Sequence, residues 1–296
     1  MSTAIYLGND RIQIVTGSSL RGKLKVKSAY SEPMPEGVII NGIIVNDQWL
    51  KERLLALKTE KKLLGRKVDV VIDSGDILTK TAVMPIISHS KLKKLVAGEF
   101  AEAVAEKQDK LYSYSVLLPK NSDGVGGTVL CTAADRSLVE SYIDLFTGIN
   151  INIRSIRLGL DCIISLCTGL SELNDQTYIL LLLDGNTLVA TLFVNGSYFF
   201  SQRTRLLEER GTSASADELN RQISYITQFN KSQNSGGEIS HIYLCGLLPK
   251  ENNLPHQLSQ LCSKTTQRLP TQDIVLKESA GDFLPSDYCY TAGCLL

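Results

Sequence analysis

The feature that most constrains this chain is a pattern that occurs twice. Near the start, three alternating runs, Ala4–Leu7, Arg11–Thr16 and Lys25–Tyr30, are separated by the polar turns Gly8-Asn9-Asp10 and Ser18–Gly22. Alternation broken by turn residues predicts an antiparallel meander of three strands. The motif returns at Tyr178–Leu183, Thr187–Val194 and Ser197–Thr204, with turns at Asp184-Gly185-Asn186 and Asn195-Gly196. Asn-Gly is the signal of a tight primed hairpin turn. Each meander is followed by a helical pattern and a short β-rich run. Leu50, Leu54 and Leu57 share a helical face before Val68–Ile72, and a long helix from about Ala214 to Gln233 precedes His241–Cys245. With 296 residues there is chain enough for two lobes, each with its own core.

The segment between the halves has a different rhythm. A strand at Lys80–Met84 stops at Pro85, and Ser88 or Ser90 can cap a helix with Leu92, Leu95, Val96, Phe100 and Val104 on its apolar face. Strands Leu111–Leu118 and Thr128–Ala133 follow, joined by the Gly-rich loop Asn121–Gly127, and then a helix carrying Leu138, Val139, Tyr142, Ile143 and Phe146. This β-α-β-β-α string is small enough to be an insertion. The expected division is therefore 1–78 for the first lobe, 79–150 for an inserted subdomain, 151–175 for the return to the first lobe and a connecting apolar helix, and 176–296 for the second lobe. A helix around Leu258, a strand at Ile274–Leu276 and a terminal helix near Tyr290–Leu295 close the reading. Two meander-led halves about an apolar helix suggest the architecture of actin and the sugar kinases.

Charge and chemistry narrow the function. Lys plus Arg and Asp plus Glu each number 31, so no net charge draws the chain to nucleic acid or anionic lipid. The seven Cys form no C-x-x-C pair and mostly sit in apolar runs, which predicts reduced, buried thiols. His89, His241 and His256 are too scattered to suggest a metal site. The N-terminal residues enter an apolar strand at once, unlike a signal peptide, and the longest apolar stretch, Tyr178–Leu183, is far short of the roughly 20 residues that cross a bilayer. The sequence has no G-x-S-x-G, H-E-x-x-H or G-x-x-x-x-G-K-[ST] motif. The expectation is a cytoplasmic docking and scaffolding protein, not a self-sufficient enzyme.

One segment carries a resemblance. Pro33-Met34-Pro35-Glu36-Gly37-Val38-Ile39-Ile40-Asn41-Gly42-Ile43-Ile44-Val45-Asn46 resembles the proline-rich stretch of the PilM family, the actin-like proteins of type IV pilus assembly. Thr79–Pro85, Glu99–Ala105, Val129–Ala134 and Tyr290–Leu296 resemble further blocks of that family, in the same order. The resemblance implies a two-lobed α/β actin-like (ASKHA) fold with a small inserted α/β subdomain, as in PilM and the cell-division actin homologues. It also implies a scaffold on the cytoplasmic side of the inner membrane, attached there only through partners. Those partners would be a bitopic membrane protein resembling PilN and a pilus motor ATPase. In the family the partner's tail lies extended between the core lobe and the inserted subdomain. Val83, Met84, Ile86 and Ile87 stand where that groove would start.

Relatives of that family that bind ATP carry D-I-G-S-S-S-hydrophobic-K in the first hairpin and D-x-G in the second. This chain keeps Gly8, Gly185 and Gly246, with Asn9, Asp10, Asn186 and Thr187 beside them, as the remnant of such a nucleotide site. Tyr6 replaces the first carboxylate, Gln13 the Lys, Leu183 the second carboxylate, and Leu247 the second glycine of the third motif. Asp184, one residue along, is read as a turn former that points away. The expectation is no cofactor, with Mg-ATP as the exception to exclude. Two other functions stay open: an actin-family ATPase whose lobes close on nucleotide, and a polymerising cytoskeletal or division protein.

Overall fold

The structure, a computed structural model, describes residues 1–61, 63–103, 109–121, 124–233, 237–276 and 283–296. β1 (Ser2–Leu7), β2 (Arg11–Leu20) and β3 (Lys23–Pro33) build the first meander. Ser18 and Ser19, expected in a turn, extend β2, and the turn narrows to Arg21 and Gly22, whose φ of 52° and 76° suit a tight hairpin. A small hairpin of β4 (Ile39–Ile40) and β5 (Ile43–Ile44) leads to α1 (Asp47–Thr59). Asn46 caps α1, its side chain accepting from the Trp49 N–H at 3.0 Å. β6 (Lys67–Ile72) then runs parallel to β1.

The middle of the chain gives β7 (Leu78–Met84), α2 (His89–Gly98), β8 (Lys110–Leu118), β9 (Gly127–Asp135), α3 (Arg136–Gly148), β10 (Asn152–Leu158) and α4 (Gly159–Thr168). The second half gives β11 (Tyr178–Asp184), β12 (Thr187–Val194), β13 (Ser197–Arg205), α5 (Ser213–Ser232), β14 (His241–Cys245), α6 (Leu254–Cys262), β15 (Thr265–Arg268) and α7 (Cys289–Leu295). Among the described residues the two large sheets have the orders β10-β6-β1-β2-β3 and β15-β14-β11-β12-β13. Each is a meander extended by two parallel strands, so the duplication in the sequence is a duplication of topology.

Strand periodicity sorts the core. Ala4 and Tyr6 face one way on β1, Ile5 and Leu7 the other. On β11, Tyr178, Leu180 and Leu182 face the first side, and Ile179, Leu181 and Leu183 the second. The inner faces of both sheets share one core with α4 and α7, which pack side by side between them. The outer face of the first sheet is covered by α1 and α3, and that of the second by α5 and α6.

β7, β9 and β8, in that order, form a separate three-stranded sheet closed by α2 around Met84, Leu92, Val96, Phe100, Val129 and Cys131. Leu95, expected on the apolar face of α2, is instead exposed. The helix ends at Gly98, while Phe100 still reaches the core, and Val104 falls outside the described residues. α3 does not join this unit: Leu138, Tyr142, Leu145 and Phe146 sit in the first-lobe core. On packing, the 79–150 segment is therefore split, its sheet ending at Asp135 and its last helix belonging to the lobe. The strand expected at Ile274–Leu276 is a 3-10 turn over Gln272–Ile274, with one bridge from Val275 to Leu24. The true edge strand, β15, is the polar run Thr-Thr-Gln-Arg, which has no apolar alternation to announce it.

Candidate functional site

An open cleft of about 1230 Å³ lies between the lobes, above the tips of the β1–β2 and β11–β12 hairpins. On its first-lobe wall stand Asp10, Glu36 and Asp76, and on its second-lobe wall Arg203, Arg205 and Lys250. At the floor the two tips touch. Tyr6 donates its hydroxyl to Asp184 Oδ2 at 2.7 Å. Asn9 donates its amide to the same oxygen at 3.0 Å and to Thr187 Oγ1 at 3.3 Å. Gly8 is required by this approach, because a Cβ there would lie 2.7 Å from Asp184 Oδ1. The tip at Gly185 comes less close: a Cβ would lie 3.4 Å from the Cβ atoms of Asn9 and Asp10, an ordinary contact. Asp10 itself is held in a fork by its neighbour Arg11, at 2.9 and 3.1 Å.

Asp184 therefore faces the floor of the cleft, contrary to the reading from sequence. The strand period explains it: Leu182 faces inward on β11, so Asp184 does too, while Leu183 faces the outer core. Burial pushes the Asp184 carboxyl up to about 6, against the lowering effect of the Tyr6 hydrogen bond.

A second carboxylate is tied in parallel. Asp73, just past β6, accepts from the Tyr290 hydroxyl of α7 at 2.7 Å and pairs with Arg203 of β13. The rings of Tyr6 and Tyr290 meet at 4.5 Å between centroids, and burial raises both phenols. The result is an interlobe latch of two carboxylates, each capped by a tyrosine. Asp73, Arg203 and Tyr290 carry no sequence signal that would mark them for this role.

The third glycine has a structural duty. Gly246, at φ 69°, could not carry a Cβ, which would fall 2.1 Å from the Leu183 carbonyl oxygen. Its carbonyl accepts from Arg210 at 2.9 Å, and its N–H donates to Ser286 at 3.0 Å. Leu247, expected to project where a base would enter, is buried in the second-lobe core instead.

A magnesium-bound polyphosphate needs free backbone N–H groups between the hairpins, a cation beside it and carboxylates left open for the metal's waters. Here the gap between the tips is filled by Asn9 and Asp10, and Asp184 is occupied by Tyr6 and Asn9. Among the described residues, no cluster of three or more His, Cys, Asp or Glu is placed to hold a metal ion.

The second region singled out in the sequence sits on the inserted sheet. Val83 is 61% exposed, and Ile86 and Ile87 are 40% exposed each. Met84 differs: it is 5% exposed and belongs to the subdomain core, because the strand period turns it toward α2. Since β9 is central, β7 is an edge strand. A small cavity of about 190 Å³ adjoins its start, lined by Thr79, Leu160, Val189 and Ser201, where subdomain and lobes converge. Among the described residues no helix is long and apolar enough to cross a membrane.

No protein-family model and no curated protein sequence matches the chain. Solved structures do match. A chain of a PilM-PilN type IV pilus biogenesis complex superposes with a TM-score of 0.80 at 14% identity, over 99% of this chain and 96% of that one. The cytoplasmic domain of EpsL, an inner-membrane component of the type II secretion system of Vibrio cholerae, gives 0.52 at 11% identity, over 99% and 94%. The ethanolamine utilization protein EutJ from Carboxydothermus hydrogenoformans gives 0.53 at 9% identity, over 99% and 88%. The repeated sheet order, the helices between the sheets and these superpositions together identify the two-lobed actin-like fold, with a small inserted α/β subdomain like that of PilM.

Proposed function

We propose that this protein is a non-enzymatic actin-like adaptor of a type IV pilus or related secretion machine. It works on the cytoplasmic side of the inner membrane and receives the extended tail of a bitopic partner resembling PilN. A pilus motor ATPase is a further partner. The observation that carries this reading is the edge strand β7 with Val83, Ile86 and Ile87 exposed along and beyond it. An extended peptide recognised at a sheet edge draws affinity from main-chain hydrogen bonds and specificity from apolar contacts. The likeness to the PilM-PilN complex and to EpsL supports the type of machine.

The test is calorimetric titration with a synthetic peptide of the cytoplasmic tail of a single-span membrane protein resembling PilN. Val83→Asp and Ile87→Asp should each weaken binding at least tenfold, about 1.4 kcal/mol. Unchanged affinity in both variants would remove β7 from the interface.

The cleft favours the same reading. With the hairpin tips bridged by side chains, Mg-ATP should bind no tighter than roughly millimolar, since each lost charge-assisted contact costs about 1.5–3 kcal/mol. Asp184 on the cleft floor is the one feature that favours a second reading, an ATPase whose lobes close on nucleotide. A low-micromolar dissociation constant for Mg-ATP would put that reading first.

A further inference from the structure

The zero net charge of the chain conceals a strongly basic end of the first lobe. Residues 21–27 and 58–67 hold nine of the 31 Lys and Arg residues and one, Glu60, of the 31 Asp and Glu residues. The fold brings both segments to the same end of the first sheet. Lys67 opens β6 opposite Asn152, and Asp69, two residues on, pairs with Ala4, so Lys67 is level with Ser2 of β1. Ser2 pairs with Gly17 of β2, and Gly17 with Val26 of β3. The β2–β3 hairpin runs on past that level to its tip at Arg21 and Gly22.

The strand pattern turns this charge outward. Leu24 and Val26 are buried in the core between the sheets, so alternation points Lys23 away from it, and the irregular pairing after Thr16 leaves Lys27 outside as well. Arg21, Lys23, Lys27, Lys61, Arg66 and Lys67 are all exposed, and among the described residues none of the six is paired with a carboxylate. At the hairpin tip Leu20 is 59% exposed, so one apolar side chain stands among the charges. This combination selects the occupant. Anionic headgroups attract Lys and Arg, each adding roughly fivefold to partitioning near such a surface, and the boundary beneath them accepts an apolar side chain. A single-stranded nucleic acid would use the charge but would also call for an open aromatic face. Tyr30, the ring beside the patch, is covered by Lys61, which donates to its hydroxyl and stands 4.5 Å from its centroid.

We propose that this end of the first lobe is a docking surface for an anionic lipid bilayer, with the basic side chains over the phosphates and Leu20 at the headgroup boundary. It gives the protein a membrane contact of its own, beside any made through a partner. The proposal rests on the adaptor reading only in placing the protein next to a membrane; the patch does not involve β7. Because the whole chain is neutral, the rest of it carries an acidic surplus that matches the basic end. An anionic bilayer therefore attracts one end and repels the remainder, which orients the approach.

The test is co-sedimentation of the whole chain with vesicles of phosphatidylcholine, alone or with about 30% phosphatidylglycerol. The anionic vesicles should bind at least about tenfold more tightly at about 50 mM salt than at about 300 mM, and the neutral vesicles should not bind. Lys23→Glu/Lys27→Glu, both at exposed positions, should weaken binding by at least about twentyfold. Leu20→Ser should weaken it about threefold and leave the salt dependence in place. Arg221→Glu/Lys231→Glu, the same charge change at exposed positions of α5, is the control and should stay within about twofold of wild type. No partner peptide is present, so failure here leaves the reading of β7 standing. Equal losses in the two double variants, an unaffected Leu20→Ser, equal binding to neutral vesicles, or tighter binding to a short DNA duplex than to anionic vesicles would overturn the proposal.

Discussion

Arg210→Ala should lower the unfolding free energy by about 3–5 kcal/mol, the usual loss when one partner of a buried ion pair is removed. The Arg210 and Glu251 side chains are 6% and 2% exposed. Nε of Arg210 donates to Glu251 Oε1 at 2.9 Å, and its terminal nitrogens reach the carbonyls of Gly185 and Gly246 at 3.3 and 2.9 Å. Glu251 in turn accepts from the Leu248 N–H at 2.8 Å. One guanidinium thus satisfies two glycine turns that bound the cleft, and the alanine leaves a buried carboxylate and two carbonyls without their donor. Urea denaturation of wild type and variant is the measurement. A loss under about 1 kcal/mol would mean that water replaces the guanidinium without penalty.

Acidification should stabilise the wild type relative to Asp184→Asn. The Asp184 carboxyl is raised to about 6 in the fold, above the ordinary aspartate value of about 3.9, so the native state binds its proton first. Between those values the folded chain carries more protons than the unfolded one, and stability from this group grows as pH falls. The gain is about 2 kcal/mol from about pH 7.5 to about pH 4.5 and approaches roughly 3 kcal/mol below the unfolded value. Glu32 works in the opposite sense: its hydrogen bonds from Arg53 hold it low, so its contribution is lost as pH falls through that lowered value. The difference between wild type and Asp184→Asn isolates the Asp184 term. Denaturation of both at the two pH values should show the gap moving in favour of wild type at the acid end; a constant gap would place the titration elsewhere.

The duplicated architecture was legible because meander strands advertise themselves: alternation marks β1 and β2, a short apolar run bounded by turn residues marks β11, and Asn195-Gly196 marks the β12–β13 hairpin. The floor of the cleft was half legible. Matching glycines to a family pattern put Leu183 in the carboxylate position, whereas counting alternate residues back from Asp184 to Leu182 and Leu180 places Asp184 on the inner face. Leu247 was misread for a related reason, since the turn at Gly246 sends it back into the core. Asp73, Arg203 and Tyr290 were out of reach, because their contacts join residues 130 and 217 positions apart. β15 was missed because a strand paired on one side in a sheet edge needs no apolar pattern of its own.

The placement of α7 bears on how the chain is made. Its residues 289–295 close over the inner face of a sheet whose first strand is residues 2–7, and the Tyr290 ring packs tilted against that of Tyr6. Contacts of such sequence separation carry a large loop-closure entropy and form late. While the ribosome is still working through the second half, the first sheet has its outer helices but lacks α7, leaving Ala4, Tyr6 and Val71 uncovered on the inner side. The emerging first lobe is therefore a sticky intermediate whose partner for collapse follows the strands of both sheets in the chain, and its exposure to chaperones should end only when α7 leaves the exit tunnel.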